Sequence, residues 1–389
     1  MYSHHMFPAF PKINKELERL SVEIISRSAQ LGRGLNPKLV KSISEFMMNI
    51  NSYYTNAMEG NPSLLNDIQA ALNKHYSTDE KLRNYQLEHM AHISTQREMI
   101  ERLENEKDLD VCSIDFLCWI HKEFYSKLPD ELCYAHTRSG EKIPVLPGVL
   151  RDRPSSVGQH LPPVDLDEVR GNLNNFQRCY SLKNVEETKK VVALAASHHR
   201  LLWIHPFRDG NGRVARLFTI AYQHQIGVGS NGLWTITRAF ARNRSEYDKH
   251  LSLADRSRRN DFDGRGLLSE EDLTLFCTYF LKECIDQLKF MESTLELHEF
   301  ERRFENYLGF MVSQKKISKK SVEALREMFF RGEIKRGDIQ KICSVKKRRA
   351  TAIIKNLLEN YLITSNSPHG PLRLYFSDES AAHLFPKLV

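Results

Sequence analysis

The stretch His205-Pro206-Phe207-Arg208-Asp209-Gly210-Asn211-Gly212-Arg213-Val214-Ala215-Arg216 decides how this chain is read. It places an imidazole, a carboxylate, a carboxamide between two glycines and a pair of arginines three apart within twelve residues. An apolar helical run, Val191 to Ile204, leads in, and a second, Val214 to Ile226, leads out. Pro206 to Gly212 is therefore expected as a loop between two buried helices, with Asn211 or Gly212 opening the second. A helix start offers unpaired N–H groups and the positive end of the dipole, which together hold anions. Glycines let the backbone come close to such an anion. Arg213 and Arg216 share a helix face. Cations in a first turn oppose the dipole unless an anion sits there. The loop is read as a cradle for phosphates.

The same residues resemble, without departure, the signature of the Fic family, His-x-Phe-x-Asp/Glu-Gly-Asn-Gly-Arg-x-x-Arg. The resemblance implies a mainly α fold, a Fic helical core with a β-hairpin flap. It also implies transfer of AMP from ATP to a Tyr, Thr or Ser hydroxyl of a target protein, with Mg2+. In that reading His205 is the catalytic base, a role suited to an imidazole with a free pKa near 6.5. Asp209 is the metal carboxylate. Gly210, Asn211, Gly212 and Arg213 bind phosphate oxygens, and Arg216 holds the γ-phosphate. Mg2+ would spread the charge of the leaving pyrophosphate. A tyrosine after this stretch packs beside the adenine in the family, which points to Tyr247. Many relatives carry two adjacent tyrosines there, whereas this chain has Tyr247-Asp248.

Upstream, Asn36-Pro37 reads as a helix start. Leu39, Val40, Ile43, Phe46, Met47, Ile50, Tyr54 and Ala57 follow at helical spacing until Gly60-Asn61-Pro62. Glu59 stands at the negative end of this helix, which disfavours it by roughly 0.3–1 kcal/mol unless a cation faces it. The arginines of the loop are misplaced in the opposite sense, so each misfit could cancel the other. Thr55-x-x-x-Glu59-Gly60 is similar to the inhibitory-helix motif of the Fic family. That likeness implies that Glu59 pairs with Arg216 and obstructs the γ-phosphate. It also leaves open a reversed reaction, removal of AMP, in which the glutamate positions water.

The 389 residues predict two or three domains. Hydrophobic and charged contents of 41% and 27% are ordinary for a soluble globular chain. No apolar run approaches the roughly 20 residues of a membrane span. Met1 to Phe10 lacks the layout of a signal peptide. Seven cysteines without a Cys-x-x-Cys pair suit reduced thiols in a cytoplasm. The net charge of +7 is uneven: from Lys315 onward, 16 Lys and Arg oppose 7 Asp and Glu, a net charge of +9.

The boundaries read as an N-terminal helical region with the inhibitory helix (1–110), the catalytic core (111–256), a helical extension (257–312) and a winged helix-turn-helix domain (313–389). An amphipathic piece is expected over Ile13 to Ile25, long helices over Asp79 to Glu106 and Ser113 to Leu128, and one helical stretch over Trp234 to Asp255. His89, His92 and His121 form no compact cluster and are taken as structural or surface residues. Residues 140–163, rich in Gly and Pro, read as an irregular hairpin. They match the flap of Fic proteins, so a protein substrate is expected to dock on 145–160, by strand addition. Gly227-x-Gly229-x-x-Gly232 follows a helix, which is the wrong context for a dinucleotide site. Asp261 to Gly266 resembles a calcium loop, but Arg265 occupies a ligand position.

The last segment reads as three helices, Ser318 to Phe330, Arg336 to Cys343 and Lys346 to Tyr361, and then two β pieces. Lys346-Lys347-Arg348-Arg349 opens the third, where a recognition helix would meet DNA. Self-modification and a homodimer stay open. The rival from another class is a DNA-binding regulator in which the core only senses nucleotide.

Overall fold

The computed structural model describes residues 6–136, 140–153 and 166–389. The helical periods read above become helices in this order. α1 (Lys15–Gln30) is capped by Asn14, whose side chain accepts from Leu17 N at 2.9 Å. α2 (Pro37–Met58) starts at Asn36 with proline in its first turn and ends at Glu59. α3 (Leu65–Leu72), α4 (Glu80–Asn105) and α5 (Ile114–Tyr125) follow. A short antiparallel hairpin pairs β1 (Tyr134–His136) with β2 (Lys142–Pro144), Ala135 facing Ile143. α6 (Leu166–Tyr180), α7 (Lys190–Ile204) and α8 (Asn211–Gln225) then build the centre. α9 (Thr237–Arg242), α10 (Arg244–Ala254), α11 (Glu270–Thr294) and α12 (Leu297–Ser313) complete the body.

The C-terminal segment runs α13 (Lys319–Arg331), β3 (Glu333–Ile334), α14 (Ile339–Ile342), α15 (Lys347–Glu359), β4 (Ile363–Thr364), β5 (Leu372–Leu374) and α16 (Asp378–Leu384). Its three strands form an antiparallel sheet in the order β3-β5-β4. Three helices with a small sheet behind them are the element order expected there. β3 and α16 were not foreseen; two and seven residues are too few to show a period.

Two expectations need correcting. The hairpin begins before residue 140 and ends at Pro144, and Val145 to Arg153 is irregular chain, not strand. The reason is that β1 draws on Tyr134–His136, a run too short to alternate visibly. The second half of the expected flap, 154–165, lies outside the described residues. Trp234 to Asp255 is two helices broken at Asn243, whose φ of −128° and ψ of 57° leave the helical region.

α7 and α8 pack against each other at the centre. α7 buries nearly its whole circumference, as a helix that is apolar all round must. α6, α11 and α1 pack on α7, while α4 and α5 pack on α8. α2 lies between the core helices α4 and α9 and the C-terminal elements α13 and β5. Among the described residues no helix is long and apolar enough to cross a membrane. All seven cysteines are free thiols.

Candidate active site

α7 ends in a left-handed turn at His205 (φ 51°, ψ 60°), and α8 begins after a left-handed Gly210 (φ 75°). The four residues between are held from several sides. The Asn211 carboxamide is buried; its Oδ1 accepts from Phe207 N at 2.9 Å and its Nδ2 donates to Phe207 O at 2.8 Å. Both ends of that side chain are therefore used inside the loop. Asn211, expected as a phosphate ligand, staples the turn with its side chain. Arg151, 1% exposed, donates from Nε to His205 O at 2.7 Å, and its backbone N–H donates to Pro206 O at 2.9 Å. Arg208 pairs with Asp152 at 2.6 Å and donates to Pro144 O at 2.8 Å. The chain after the hairpin is thereby clamped to the signature loop.

The buried ring of His121 stacks on Phe207 with centroids 4.1 Å apart. Its Nδ1 accepts from Gly148 N at 2.8 Å, so its Nε2 carries the proton and faces Asp209 O at 3.3 Å. Burial lowers its pKa to about 4, and it stays neutral at physiological pH. His121 thus joins the hairpin side to the loop.

Asp209 remains partly open, its side chain 44% exposed. One oxygen accepts from the Tyr125 hydroxyl at 2.8 Å, which orients the carboxylate. Arg213 lies on α8 one turn on, 3.8 Å from both Asp209 and Glu88, with its guanidinium 4.7 Å from the Phe124 ring centroid. Burial would discharge it. Electrostatic interaction with Tyr125, Glu59, Asp209 and Glu88 outweighs that and raises its pKa. Its Nε is buried without a hydrogen-bond partner. Glu88, on α4, is a carboxylate that sequence reasoning missed. Burial raises its pKa against the pull of Arg213 and of the Asn61 amide, 3.1 Å away. No local pattern marks it, since α4 carries nine Glu, Arg and Lys of similar look.

α2 brings its C-terminus to the N-terminus of α8. The Glu59 carboxylate accepts a hydrogen bond from Arg216 Nη2. Arg216 also donates from Nε to Thr55 Oγ1 at 2.5 Å and from Nη2 to Thr55 O at 3.3 Å. The guanidinium is 4% exposed and the carboxylate 30%. Burial would raise the Glu59 pKa; the charges of Arg216 and then Arg213 overcome it and hold the group below its ordinary value. Gly212 lies against this pair. A Cβ there would meet Glu59 Oε1 at 2.5 Å and Arg216 Nη1 at 3.0 Å. The first turn of α8, with its unpaired amides, therefore has a carboxylate in front of it. Gly60 ends α2 in the left-handed region (φ 88°), and Asn61 N donates back to Asn56 O at 3.0 Å.

His89 anchors α4 to this end of α2, bonding Ser52 Oγ at 3.0 Å, Asn56 Nδ2 at 3.1 Å and Ser63 Oγ at 2.7 Å. His92 is fully buried as well. Tyr247 departs from its expected place beside an adenine. It is 3% exposed, stacked on Phe240 at 4.2 Å, with its hydroxyl 2.8 Å from His198 Nε2. A ring stacked on Phe240 and buried to that degree presents no open face to a base.

The signature, the anion-ready helix start and the carboxylate opposite are now in place, and the Fic/DOC family pattern matches residues 111–223. Residues 111–223 are a Fic domain. The protein adenylyltransferase Fic of Nematostella vectensis is 33% identical over 99 residues, 25% of this chain and 23% of that protein. The chain thus matches less than a quarter of the length of that curated relative. A Fic family protein from Desulfovibrio desulfuricans shares the fold over 93% of this chain and 97% of its own, with TM-score 0.52 and 17% identity. A Fic domain-containing signaling protein from Bacteroides thetaiotaomicron covers 71% of this chain and 95% of its own, with TM-score 0.52 and 21% identity. In the Fic domain of this chain, His205, Asp209, Gly210, Gly212 and Arg213 lie on the turn between α7 and α8 and on the first turn of α8, where Glu59 of α2 meets Arg216.

Proposed function

We propose that this protein transfers AMP from ATP to a Tyr, Thr or Ser hydroxyl of a protein, and that Glu59 restrains it. The observation that carries this reading is the Glu59 carboxylate against Arg216, at a helix start otherwise built for phosphate. The residues fit a triphosphate with its cation. Arg213 Nε is buried without a partner, Gly212 leaves the room a Cβ would fill, and Asp209 is an oriented carboxylate with an open side. Asp209 would hold Mg2+, whose chemistry there is neutralisation of the phosphate charge.

In this mechanism His205 takes the proton of the target hydroxyl as its oxygen attacks the α-phosphorus. The new O–P bond forms as the bond from the α-phosphorus to the bridging oxygen breaks, and pyrophosphate leaves. The α8 amides and Arg213 stabilise charge on the transferring group. Asn211, Arg151 and His121 hold the loop in register, which supplies positioning. Arg216 takes the γ-phosphate once Glu59 withdraws. The target lies against the hairpin side, where Arg208 and Asp152 fix the chain beside the loop.

The test is purified Glu59→Gly protein with α-labelled ATP and Mg2+, with and without lysate, beside Glu59→Gly/His205→Ala. Label on the first and none on the second is expected. Equal label on both, or none on either, would end the AMP-transfer reading. The ionised, partly exposed Glu59 also suits a rival, removal of AMP from a modified target, in which it would orient water. That rival requires Glu59→Gly to lose activity on AMP-modified substrate.

A further inference from the structure

We propose that the outer face of α15 and the groove beside it bind duplex DNA, with α15 entering the major groove. The helix presents two faces. Ala350, Ile353 and Leu357 are buried against the C-terminal module. Arg348, Thr351, Ala352 and Lys355 form an exposed stripe at spacings of three and four. Its N-terminal end is cationic: Lys346, Lys347, Arg348 and Arg349 are all exposed, and none makes an ion pair. Acids elsewhere in the module are mostly engaged, Glu323 with Arg326, Glu333 with Lys38 and Glu379 with Lys316.

A groove of about 910 Å³ runs along this end, bordered by Lys315, Lys320, Lys346, Arg348 and Arg349. Five cations around one concave surface, none of them in an ion pair among the described residues, complement a phosphate backbone. The middle of the exposed stripe is small, Thr351 and Ala352. Small side chains let a helix approach base edges, and both types contact the thymine methyl. α14, the turn at left-handed Ser344 (φ 49°) and α15 stand in the order of a helix-turn-helix, in which the second helix enters the major groove N-terminus first. Among the described residues, α15 packs chiefly on α14 and β4, elements of the same module. A lipid surface would want exposed apolar side chains beside the cations, and this stripe has none.

The experiment uses the full chain and a fluorescein-labelled 30-base-pair duplex of mixed sequence, followed by anisotropy between 50 and 300 mM NaCl. Binding is expected to weaken linearly in log–log form, with a slope of roughly −0.9 per phosphate contacted. Lys347→Glu/Arg348→Glu should weaken binding at least tenfold and flatten that slope. Thr351→Glu should also weaken it, though it removes no cation. Thermal melts of both variants matching the parent show that the fold survives. Three results would overturn the proposal: no binding at 50 mM NaCl, binding indifferent to these substitutions, or equal competition by phosphatidylserine vesicles at matched charge. His205→Ala should bind DNA as the parent does. Failure here leaves AMP transfer standing, because that is read by label on the Glu59→Gly protein.

Discussion

Replacing Glu59 with glycine removes one charge-assisted hydrogen bond and leaves the rest of the Arg216 environment intact. Arg216 keeps Thr55 Oγ1 at 2.5 Å and Thr55 O at 3.3 Å. A hydrogen bond to a charged group contributes about 1.5–3 kcal/mol net. The guanidinium is 4% exposed, which favours the upper part, and the carboxylate is 30% exposed, which screens it toward the lower. At about 2 kcal/mol, and 1.4 kcal/mol per factor of ten, the closed arrangement is favoured roughly 30-fold. On the proposed function, apparent ATP affinity would be reduced by the same factor while Glu59 stays docked. Glu59→Gly should therefore bind ATP about 30-fold more tightly, by calorimetry or displacement of a fluorescent analogue. Initial labelling at subsaturating ATP should rise in step. Glu59→Gln, equal in size but uncharged, should fall between the two. Because Gly60 already ends α2, the helix should keep its length, and the melting temperature should move little. A change in ATP affinity below threefold, or a Gln variant indistinguishable from the parent, would refute the reasoning. The Glu59–Arg216 contact is expected to hold from neutral pH down to the acid range. The Glu59 pKa is depressed, so its contribution is present above the ordinary carboxylate pKa and fades only as pH falls through the lowered one.

Asn211→Ala should cost about 2–3 kcal/mol in urea denaturation, two hydrogen bonds to Phe207 being lost in a buried setting, and it should abolish labelling by the Glu59→Gly protein. Arg373 ties β5 to α2 through Glu45 at 2.8 Å and Ser42 at 3.2 Å. Arg373→Ala should loosen α2 and raise labelling of the otherwise native chain by roughly 2–10-fold, from about 0.5–1.5 kcal/mol; no change would separate the C-terminal module from the restraint. His89, His121 and His198 are buried and neutral, with pKa values lowered to about 3, 4 and 3 by burial. The unfolded chain binds protons at these rings and the folded chain does not, so stability falls as pH drops below about 6.5. Between pH 7.5 and 5.5 the loss should be about 2–4 kcal/mol by urea titration, and a flat profile would contradict it.

Some of this was legible in the residues and some was not, for reasons that differ by element. α7, α8 and α2 announce themselves because a long buried helix repeats its apolar residues every turn, and Asn36-Pro37 and Gly60 mark ends that backbone sterics dictate. The signature loop is legible because glycines, a carboxylate and arginines at close spacing have few other uses. The Asn243 break carried no punctuation that could be read. Tyr247 illustrates the limit of a resemblance: its position in the chain was right for an adenine contact, but Phe240 and His198 cover it.

By itself, then, the sequence determined the helical body, the two helix ends and the loop between α7 and α8, all of them local, set by residues within a turn or two of one another. The resemblance implied that Glu59 meets Arg216 across 157 positions, but no local pattern encodes that contact, and only the tertiary structure decided that Glu88 and Tyr125 frame Arg213 and Asp209 and that Arg151 holds the loop. It also decided that α2 is gripped from behind by α13 and β5. Charge pairing and packing between distant segments depend on where whole helices cross, and no spacing within one segment encodes that crossing.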